Sequence, residues 1–326
     1  MRIGLTYDLR SEYLAMGYGE KETAEFDRDD TITAIESSLN QLGYGTDRIG
    51  HIRTLTAKLA AGKRWDLVFN IAEGMSGYAR EAQVPALLEA FSIPYTGSDP
   101  LTLAMTHHKG YTKRVVAGAG VPTPHFAVVV SEADIGEVNL PFPLFVKPVA
   151  EGTGKGITGK SHVTSPAGLA EQCRYILKEF RQPALVETYL PGREITVGVL
   201  GSAKNARVAG VLEIESLEGA EEHAYTYYNK EFCENVVRYT LVNDPAVVKT
   251  ATEICLASWQ ALGGRDFCRM DLRGDADGNF SFMEVNALPG LHPQHSDLPM
   301  IGERVGLPYT QLIRSIVDSA RQRYGI

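Results

Sequence analysis

Four polar side chains towards the end of the sequence could bind a hard metal ion together. Arg269 and Asp271 lie two residues apart in one alternating apolar and polar segment, and Glu284 and Asn286 do so in the next. The Asp/Gly/Asn-rich stretch 274–279 joins the two segments, and this pattern predicts a β-hairpin. Side chains two apart share a face of a strand, so all four groups meet if the register pairs Asp271 with Glu284. Mg²⁺ takes a few protein oxygens of this kind and keeps positions for water and phosphate.

Two other interpretations of this hairpin stay open. Its polar residues could form the solvent-facing side of an amphipathic hairpin. Counted from Arg273, several residues also occupy EF-hand calcium positions, namely Asp275, Asp277, Gly278 and Glu284. The first EF-hand position would then carry the wrong charge, and the flanking segments are strands rather than helices. Calcium binding is therefore the weaker hypothesis.

A glycine-rich loop follows a strand-borne lysine and is suited to holding phosphate. Lys147 lies near the end of an apolar segment, and the loop 151–156 reads Glu-Gly-Thr-Gly-Lys-Gly. Alternating glycines let backbone N–H groups surround phosphate oxygens, and a lysine adds a point charge. The order of a Walker A motif is absent, and an ordinary hairpin loop would look similar. Two further lysines favour the phosphate interpretation, Lys109 in a predicted helix and Lys230 in a tyrosine-rich loop.

A third group of residues could hold a nucleoside. Glu187 ends a predicted strand, and Leu190 and Glu194 follow it. The two acids could accept hydrogen bonds from an adenine amino group and from ribose hydroxyls, with the leucine against the ring. Acids at strand ends are usually solvated, so this interpretation has weight only in combination with the other two groups.

The elements that must position these groups begin with an open parallel α/β pattern. Strand-like and helix-like segments alternate, with strands at 2–7, 46–49, 66–70 and 93–97 and helices at 31–42, 52–61 and 82–91. No Gly-x-Gly-x-x-Gly follows the first strand, so a dinucleotide site is not indicated. After one helix at 102–118, the pattern changes to short strands, hairpins and a helix at 166–180. We therefore expect three domains, 1–100, 101–187 and 188–326.

Composition limits the classes of partner. The 326 residues carry a formal charge of −8, which argues against a broad nucleic-acid surface. The apolar runs are too short to span a bilayer, and the first residues lack the apolar core of a signal peptide. The four cysteines are scattered without a Cys-x-x-Cys pair, so we expect reduced thiols. These features predict a cytoplasmic protein without nucleic-acid or membrane partners.

In this order, the segments resemble the ATP-grasp ligases, and most closely the D-alanine–D-alanine ligase family. The resemblance runs from about 66 to 301 and is densest at 81–89, 93–98, Lys109 with 112–113, 120–122, 146–148 and 283–290. It implies an ATP-grasp fold of the α/β and α+β classes. An N-terminal open parallel α/β (pre-ATP-grasp) domain would precede two ATP-grasp lobes, with the glycine-rich lid loop in the central lobe.

The resemblance also implies roles at the nucleotide site. Lys109 and Lys147 would contact ATP phosphates, and the loop of Glu151, Gly152, Thr153 and Gly154 would close over them. Glu187, Leu190 and Glu194 would hold adenine and ribose. Two Mg²⁺ ions, or Mn²⁺ in their place, would be bound by Asp271, Glu284 and Asn286. The groups implied to be catalytic are Arg269 at the oxyanion of a tetrahedral intermediate, Lys230 at the γ-phosphate, and Thr153 in place of the family's usual serine.

The implied reaction activates a carboxylate with ATP and joins it to an amine through an acyl phosphate. The first expectation is D-alanyl-D-alanine synthesis, and the alternative is a ligase for other amino or hydroxy acids in a specialised pathway. A silent nucleotide-binding regulator is the alternative from another class, although intact Arg269, Asp271, Glu284 and Asn286 argue against it. The family suggests a homodimer and a role in peptidoglycan synthesis.

The amino-acid pocket departs from the family pattern. Glu25 or Asp27 would bind the amino group of the first substrate, or these acids simply precede the next helix as caps. The other predicted substrate-binding residues are Arg269, Gly290, His295 and Ser296. His292 and His295 could act as acid or base near neutral pH, or be ordinary solvated or buried histidines. Glu231, at a position that is usually aromatic, suggests a more cationic second substrate.

Overall fold

The N-terminal region forms a parallel sheet. The computed structural model describes residues 1–216 and 237–326. Strands β1 (Arg2–Thr6), β2 (Gly45–Gly50) and β3 (Leu67–Asn70) run parallel in the order β2-β1-β3. The helices of this region are α1 (Arg10–Ala15), α2 (Asp29–Gln41), α3 (Ile52–Ala60) and, after a 3₁₀ turn at Arg80–Ala82, α4 (Gln83–Ala90). The open parallel sheet predicted from the alternating pattern is confirmed.

The segment 93–97 does not add the predicted strand. It makes a single bridge to the sheet, between Val68 and Tyr95. Pro94 has no N–H to donate, and Gly97 turns the chain with φ of 92°. The backbone therefore leaves the sheet edge after two hydrogen bonds, Val68 N–H to Pro94 O and Thr96 N–H to Val68 O.

One predicted helix is broken at His108. The structure has α5 (Pro100–His107) and α6 (Lys109–Gly118) in place of one helix over 102–118. His108 has an extended backbone, and its ring accepts a hydrogen bond from the Tyr111 N–H, which caps α6. The N–H of Lys109 donates to Val149 O at 2.9 Å. The break therefore ties the start of α6 to the segment that precedes the glycine-rich loop.

The central region is a four-stranded antiparallel sheet with one covering helix. Its strands are β4 (Phe126–Val129), β5 (Leu144–Pro148), β6 (His162–Val163) and β7 (Ala184–Thr188), in the order β4-β7-β5-β6. Helix α7 (Pro166–Glu179) buries Leu169, Cys173 and Ile176 against the sheet. The glycine-rich loop connects β5 to β6, so β5 carries Lys147 directly into it.

The C-terminal region is a second antiparallel sheet. In the described residues its order is β10-β9-β8-β11-β12. Its strands are β8 (Glu194–Leu200), β9 (Arg207–Ser216), β10 (Val237–Leu241), β11 (Phe267–Gly274) and β12 (Phe280–Asn286), and its helices are α8 (Pro245–Ala261), α9 (Asp297–Arg304) and α10 (Tyr309–Tyr324). Helix α10 returns to pack beside α2 of the N-terminal region.

A buried aspartate joins the C-terminal helix α10 to the N-terminal region. Asp266 is fully buried, and one of its oxygens accepts from the Gly97 N–H at 2.8 Å and from Arg323 of α10 at 2.7 Å. Its other oxygen accepts from Ser202 and Ser319. A buried charge is stable only with such partners, so Asp266 fixes α10 against the segment that follows the parallel sheet.

Two expectations from composition concern the cysteines and the membrane. Cys173, Cys255 and Cys268 are free, in agreement with the expected reduced thiols. All three are buried, and burial raises the pKa of each thiol. Cys233 lies outside the described residues. Within the described ranges, none of the helices combines the length and apolarity that a membrane crossing requires.

Candidate active site

One cleft gathers most of the predicted nucleotide-site and metal-site residues. It lies between β5 and β7 of the central sheet and the β11–β12 hairpin, with the glycine-rich loop at its edge. Its space, including the part open to solvent, is about 820 Å³. Its predicted lining residues are Lys109, Lys147, Glu151, Gly152, Thr153, Gly154, Glu187, Leu190, Glu194, Asp271 and Glu284. The three groups recognised separately in the sequence therefore meet in one place, which we call the cleft.

A buried ion-pair cluster forms the floor of the cleft. Glu187 on β7 is fully buried, and its two oxygens lie 3.0 Å from the ammonium groups of Lys113 and Lys147. Burial alone would raise the pKa of Glu187, but the two lysines hold it below its usual value. Both oxygens retain lone pairs for a further donor, so the pairing is compatible with the predicted contact to an adenine amino group.

Lys113 belongs to this buried cluster, and the sequence analysis gave it no role. It is fully buried on α6, and its ammonium group also donates to the Thr123 hydroxyl and to Phe282 O on β12. The available signal was its spacing from Lys109, because residues four apart lie on the same face of a helix. Burial lowers the pKa of Lys113, whereas Glu187 and Glu284 raise that of Lys147 despite its burial.

The hairpin has the register on which the metal hypothesis depends. Asp271 lies directly opposite Glu284, and Arg269 lies opposite Asn286. Lys147 and Lys109 approach one oxygen of Glu284, at 3.4 and 3.9 Å. Asp271 Oδ1 is buried and has no hydrogen-bond partner among the described residues, while Asn286 Oδ1 accepts from the Leu288 N–H.

These donors fit a magnesium ion. Two carboxylates and one amide supply only hard oxygen ligands, and the unpaired, buried oxygen of Asp271 is suited to a cation. The described residues contain no group of three or more His, Cys, Asp or Glu side chains that could hold a metal without other ligands. A cation here would therefore depend on Asn286, water or phosphate for its remaining ligands, as Mg²⁺ usually does.

The turn of the hairpin does not form a calcium loop. Asp275 Oδ1 accepts from the backbone N–H groups of Asp277 and Asn279 at 2.9 and 2.8 Å. Its carboxylate therefore closes the turn locally, as Asp commonly does. The flanking elements are strands, and both observations weigh against the EF-hand alternative.

Arg269 lies within the hairpin between two carboxylates. It contacts Asp271, and its Nε lies 3.4 Å from Asp297 at the start of α9. Burial opposes the charged form, but the carboxylates outweigh it and raise the pKa of Arg269 further above its usual value. A permanently charged, buried guanidinium is suited to stabilising a developing oxyanion.

The loop 290–296 folds onto the start of α2. A Cβ atom on Gly290 would come within 2.8 Å of Ser296 Oγ, so these predicted substrate residues are neighbours. Ser296 Oγ accepts from the His292 N–H, and His292 Nδ1 accepts from the backbone N–H groups of Gln294 and His295. The other ring nitrogen of His292 faces Arg28 and Asp30. His292 therefore holds the loop together, which matches the alternative of an ordinary, hydrogen-bonded histidine.

The two candidate acids for the substrate amino group have different environments. Glu25 is nearly buried and accepts from Arg80 at 2.6 Å and from the Gly152 N–H at 2.7 Å, with Lys155 at 3.4 Å. Burial would raise its pKa, but Arg80 and Lys155 lower it to about 2. For Asp27, burial and the neighbouring Asp8 raise the pKa to about 8. At pH 7 only Glu25 is fully ionised.

The glycine-rich loop is held from both sides. Lys109 donates to Glu151 O at 2.6 Å, and Lys155 pairs with the Glu151 carboxylate at 3.0 Å. A Cβ atom on Gly152 would lie 2.5 Å from Glu25 Oε1, so only glycine allows this approach. Thr153 has φ of 49°, and its buried hydroxyl has no partner in the described part of the chain. An unpaired buried hydroxyl beside the cleft is suited to a ligand oxygen.

Similarity to known proteins identifies the family. A family model described as the D-ala D-ala ligase C-terminus matches residues 115–318. The uncharacterised protein y4sG of Sinorhizobium fredii is 35% identical over 261 residues, which span 79% of this chain and 75% of that protein. The D-alanine–D-alanine ligase of Aquifex aeolicus is 32% identical over 285 residues, covering 87% and 92% of the two chains. The chain belongs to the D-alanine–D-alanine ligase family.

The fold agrees with this membership. A crystal structure of the D-alanine–D-alanine ligase from Bacillus anthracis complexed with ATP has a TM-score of 0.73 at 21% identity, covering 100% of this chain and 99% of that one. The predicted ATP-grasp fold and the predicted class, a C–N bond-forming ligase, are thereby confirmed. The proposed division at residues 100 and 188 stays a prediction, as do the individual residue roles.

In this member of the D-alanine–D-alanine ligase family, the sequence analysis did not predict several residues that line the cleft. The ring of Tyr189 contacts that of His162 in a tilted arrangement, with ring centroids 4.3 Å apart, and lies against the guanidinium of Arg273. Arg273 in turn pairs with Glu194 at 3.2 Å. Phe145 and Met283 add apolar surface to the same wall. Of the predicted residues, Lys230 and Glu231 lie outside the described ranges.

Proposed function

We propose that this protein uses ATP to activate the carboxylate of one amino acid and joins it to the amino group of a second, with D-alanine as the first candidate for both. The observation that carries this proposal is the convergence in one cleft of Lys109, Lys147 and the carboxylates of Asp271 and Glu284. Phosphoryl transfer to a carboxylate brings two anions together, and positioned cations must neutralise the charge. The relatives named D-alanine–D-alanine ligase support the choice of substrate.

The nucleotide would bind across the cleft. In this arrangement Lys109 and Lys147 contact phosphates, and Thr153 donates its unpaired hydroxyl to one of them. Glu187, Leu190 and Glu194 surround the nucleoside. Two Mg²⁺ ions, or Mn²⁺, held by Asp271, Glu284 and Asn286, would supply charge neutralisation at the transferred phosphate.

The remaining residues would serve the second half of the reaction. Arg269 stabilises the oxyanion that forms when the amine attacks the acyl phosphate. Gly290, His295 and Ser296 line the side where the substrate carboxylate binds. Glu25 meets the amino group of the first substrate, because it is the acid that stays ionised at pH 7. We also propose a homodimer, on the family resemblance alone, and a cytoplasmic location, on the composition of the sequence.

A substrate screen tests the proposal. Purified protein with ATP and Mg²⁺ is incubated with pairs of amino and hydroxy acids, and phosphate release is measured together with product mass. D-Alanyl-D-alanine as the main product supports the proposal. An amide or ester from another pair supports the alternative of a specialised ligase. ATP binding without any phosphate release would support a nucleotide-binding regulator.

A further inference from the structure

A chain of four buried polar side chains connects the N-terminal region to the glycine-rich loop. Glu81 and His107 are 2.7 Å apart, His107 and Arg80 are 2.5 Å apart, and Arg80 and Glu25 are 2.6 Å apart. Each of these side chains is 10% exposed or less. Buried charges are costly unless they are paired and hydrogen-bonded, so this continuous pairing accounts for their stability.

The hydrogen bonds of the chain run outward from Arg80, to Glu25 on one side and through His107 to Glu81 on the other. Arg80 is a donor only, so His107 Nε2 accepts from it, and His107 Nδ1–H then donates to Glu81. The Glu81 carboxylate therefore fixes the orientation of the imidazole, and the imidazole fixes the Nη1 group of the Arg80 guanidinium. The Nη2 group of the same guanidinium is thereby directed at Glu25. None of Arg80, Glu81 and His107 lines the cleft.

The far end of the chain holds the glycine-rich loop at three points. Glu25 accepts from the Gly152 N–H at 2.7 Å and lies 3.4 Å from the Lys155 ammonium group. Arg80 itself donates to Ala150 O at 3.3 Å. Because Arg80 and Lys155 are the cations that keep Glu25 ionised, loss of Arg80 would weaken Glu25 as an acceptor for the loop.

We propose that Arg80, oriented by His107 and Glu81, is a positioning residue that holds Glu25 and the loop from Ala150 to Lys155 in the closed arrangement. Arg80 does not line the cleft, so it acts through Glu25 and the loop and not on a substrate directly. Its effect on catalysis rests on the proposed function, since a loop that no longer closes would let water reach the acyl phosphate. Water would then release phosphate and regenerate the free acid without forming an amide.

Hydrogen exchange tests the positioning without any substrate. We expect Arg80→Gln to raise the exchange rate of the amides at 150–155 by about 10-fold or more, since the substitution removes charge-assisted hydrogen bonds that hold this segment. Arg80→Lys should recover part of the protection. The matched control is Arg174→Gln, because Arg174 pairs with Glu132 on an exposed surface away from the cleft. Unchanged exchange at 150–155 in a folded Arg80→Gln protein would overturn the proposal.

The ratio of amide formed to phosphate released tests the catalytic consequence. We expect this ratio to fall several-fold in Arg80→Gln and to stay at the wild-type value in Arg174→Gln. Glu81→Gln keeps the Arg80 charge but weakens the hydrogen bond that orients His107, so it should give an intermediate ratio. This variant replaces Arg80→Gln in the test if Arg80→Gln does not fold. A lower turnover at an unchanged ratio would indicate a merely structural role and contradict the proposal. If the wild type forms no amide while loop exchange still responds to Arg80, the proposed function fails and the positioning role stands.

Discussion

Asp271 and Glu284 face each other directly across the β11–β12 hairpin, and one oxygen of Asp271 is buried without a hydrogen-bond partner among the described residues. This pairing places two carboxylates at the wall of the cleft, with Lys147 beside Glu284. Neighbouring carboxylates repel each other unless a cation lies between or beside them. The pairing of these two carboxylates therefore makes the hairpin suited to binding a cation, which neither strand would be alone.

Replacing Glu284 by Gln should reduce turnover by about 10²- to 10³-fold, a loss comparable to the removal of an oxyanion-hole donor. The amide keeps the size of the side chain but removes its charge, so the thermal midpoint should change little. Steady-state phosphate release at increasing Mg²⁺ measures the effect. The control is Glu171→Gln, at an exposed carboxylate paired with Lys160. Wild-type turnover in Glu284→Gln would show that this carboxylate does not bind the metal.

Replacing Lys113 by Met should destabilise the fold by about 3 kcal/mol, because removal of one partner leaves buried charge incompletely paired. Lys147 remains beside Glu187, which keeps the loss at the lower end of the usual range. Urea unfolding measures it, with Lys249→Met on the exposed face of α8 as the control. Introducing Glu187→Leu into the Lys113→Met variant should lower the free energy of unfolding by less than the same substitution does in the wild-type protein. Additive losses in the double variant would mean that the two side chains are not coupled.

The ion pairs of Glu25 should make stability depend on pH in the acid range. Its pKa is about 2 in the fold, against an ordinary 4.5, so its contribution is present above pH 4.5 and is lost as pH falls towards 2. The difference in unfolding free energy between wild type and Glu25→Gln should therefore shrink by about 2 kcal/mol between pH 6 and pH 3. Urea titrations at both pH values measure it, with exposed Glu303→Gln as the control. A difference that does not change with pH would contradict the ionised, paired state of Glu25.

Local patterns in the sequence predicted the features that depend on neighbouring residues. The alternation around Asp271 and Glu284 predicted both the hairpin and its shared polar face, because strand periodicity is a local property. The parallel N-terminal sheet followed from alternating strand and helix segments in the same way. The family resemblance then placed ATP-site and metal residues that the structure brings into one cleft.

Features that depend on distant contacts were not predicted. The break at His108 depends on a hydrogen bond from Lys109 to Val149, forty residues later. Lys113 has the spacing of an ordinary helix residue, and only the fold places Glu187 beside it. The chain from Glu81 through His107 and Arg80 to Glu25 joins residues up to 82 positions apart. Its members look like unrelated surface charges until the N-terminal region and the glycine-rich loop meet.

The most direct test of the central claim follows one oxygen atom. If the cleft activates a carboxylate as an acyl phosphate, the bond broken by the amine joins the carboxylate carbon to a bridging oxygen that came from the substrate. Phosphate released during amide formation from acid labelled with ¹⁸O in its carboxylate should therefore carry one ¹⁸O atom. D-Alanine is the first acid to use, and mass spectrometry of the phosphate gives the answer. Amide formed with unlabelled phosphate would contradict the account.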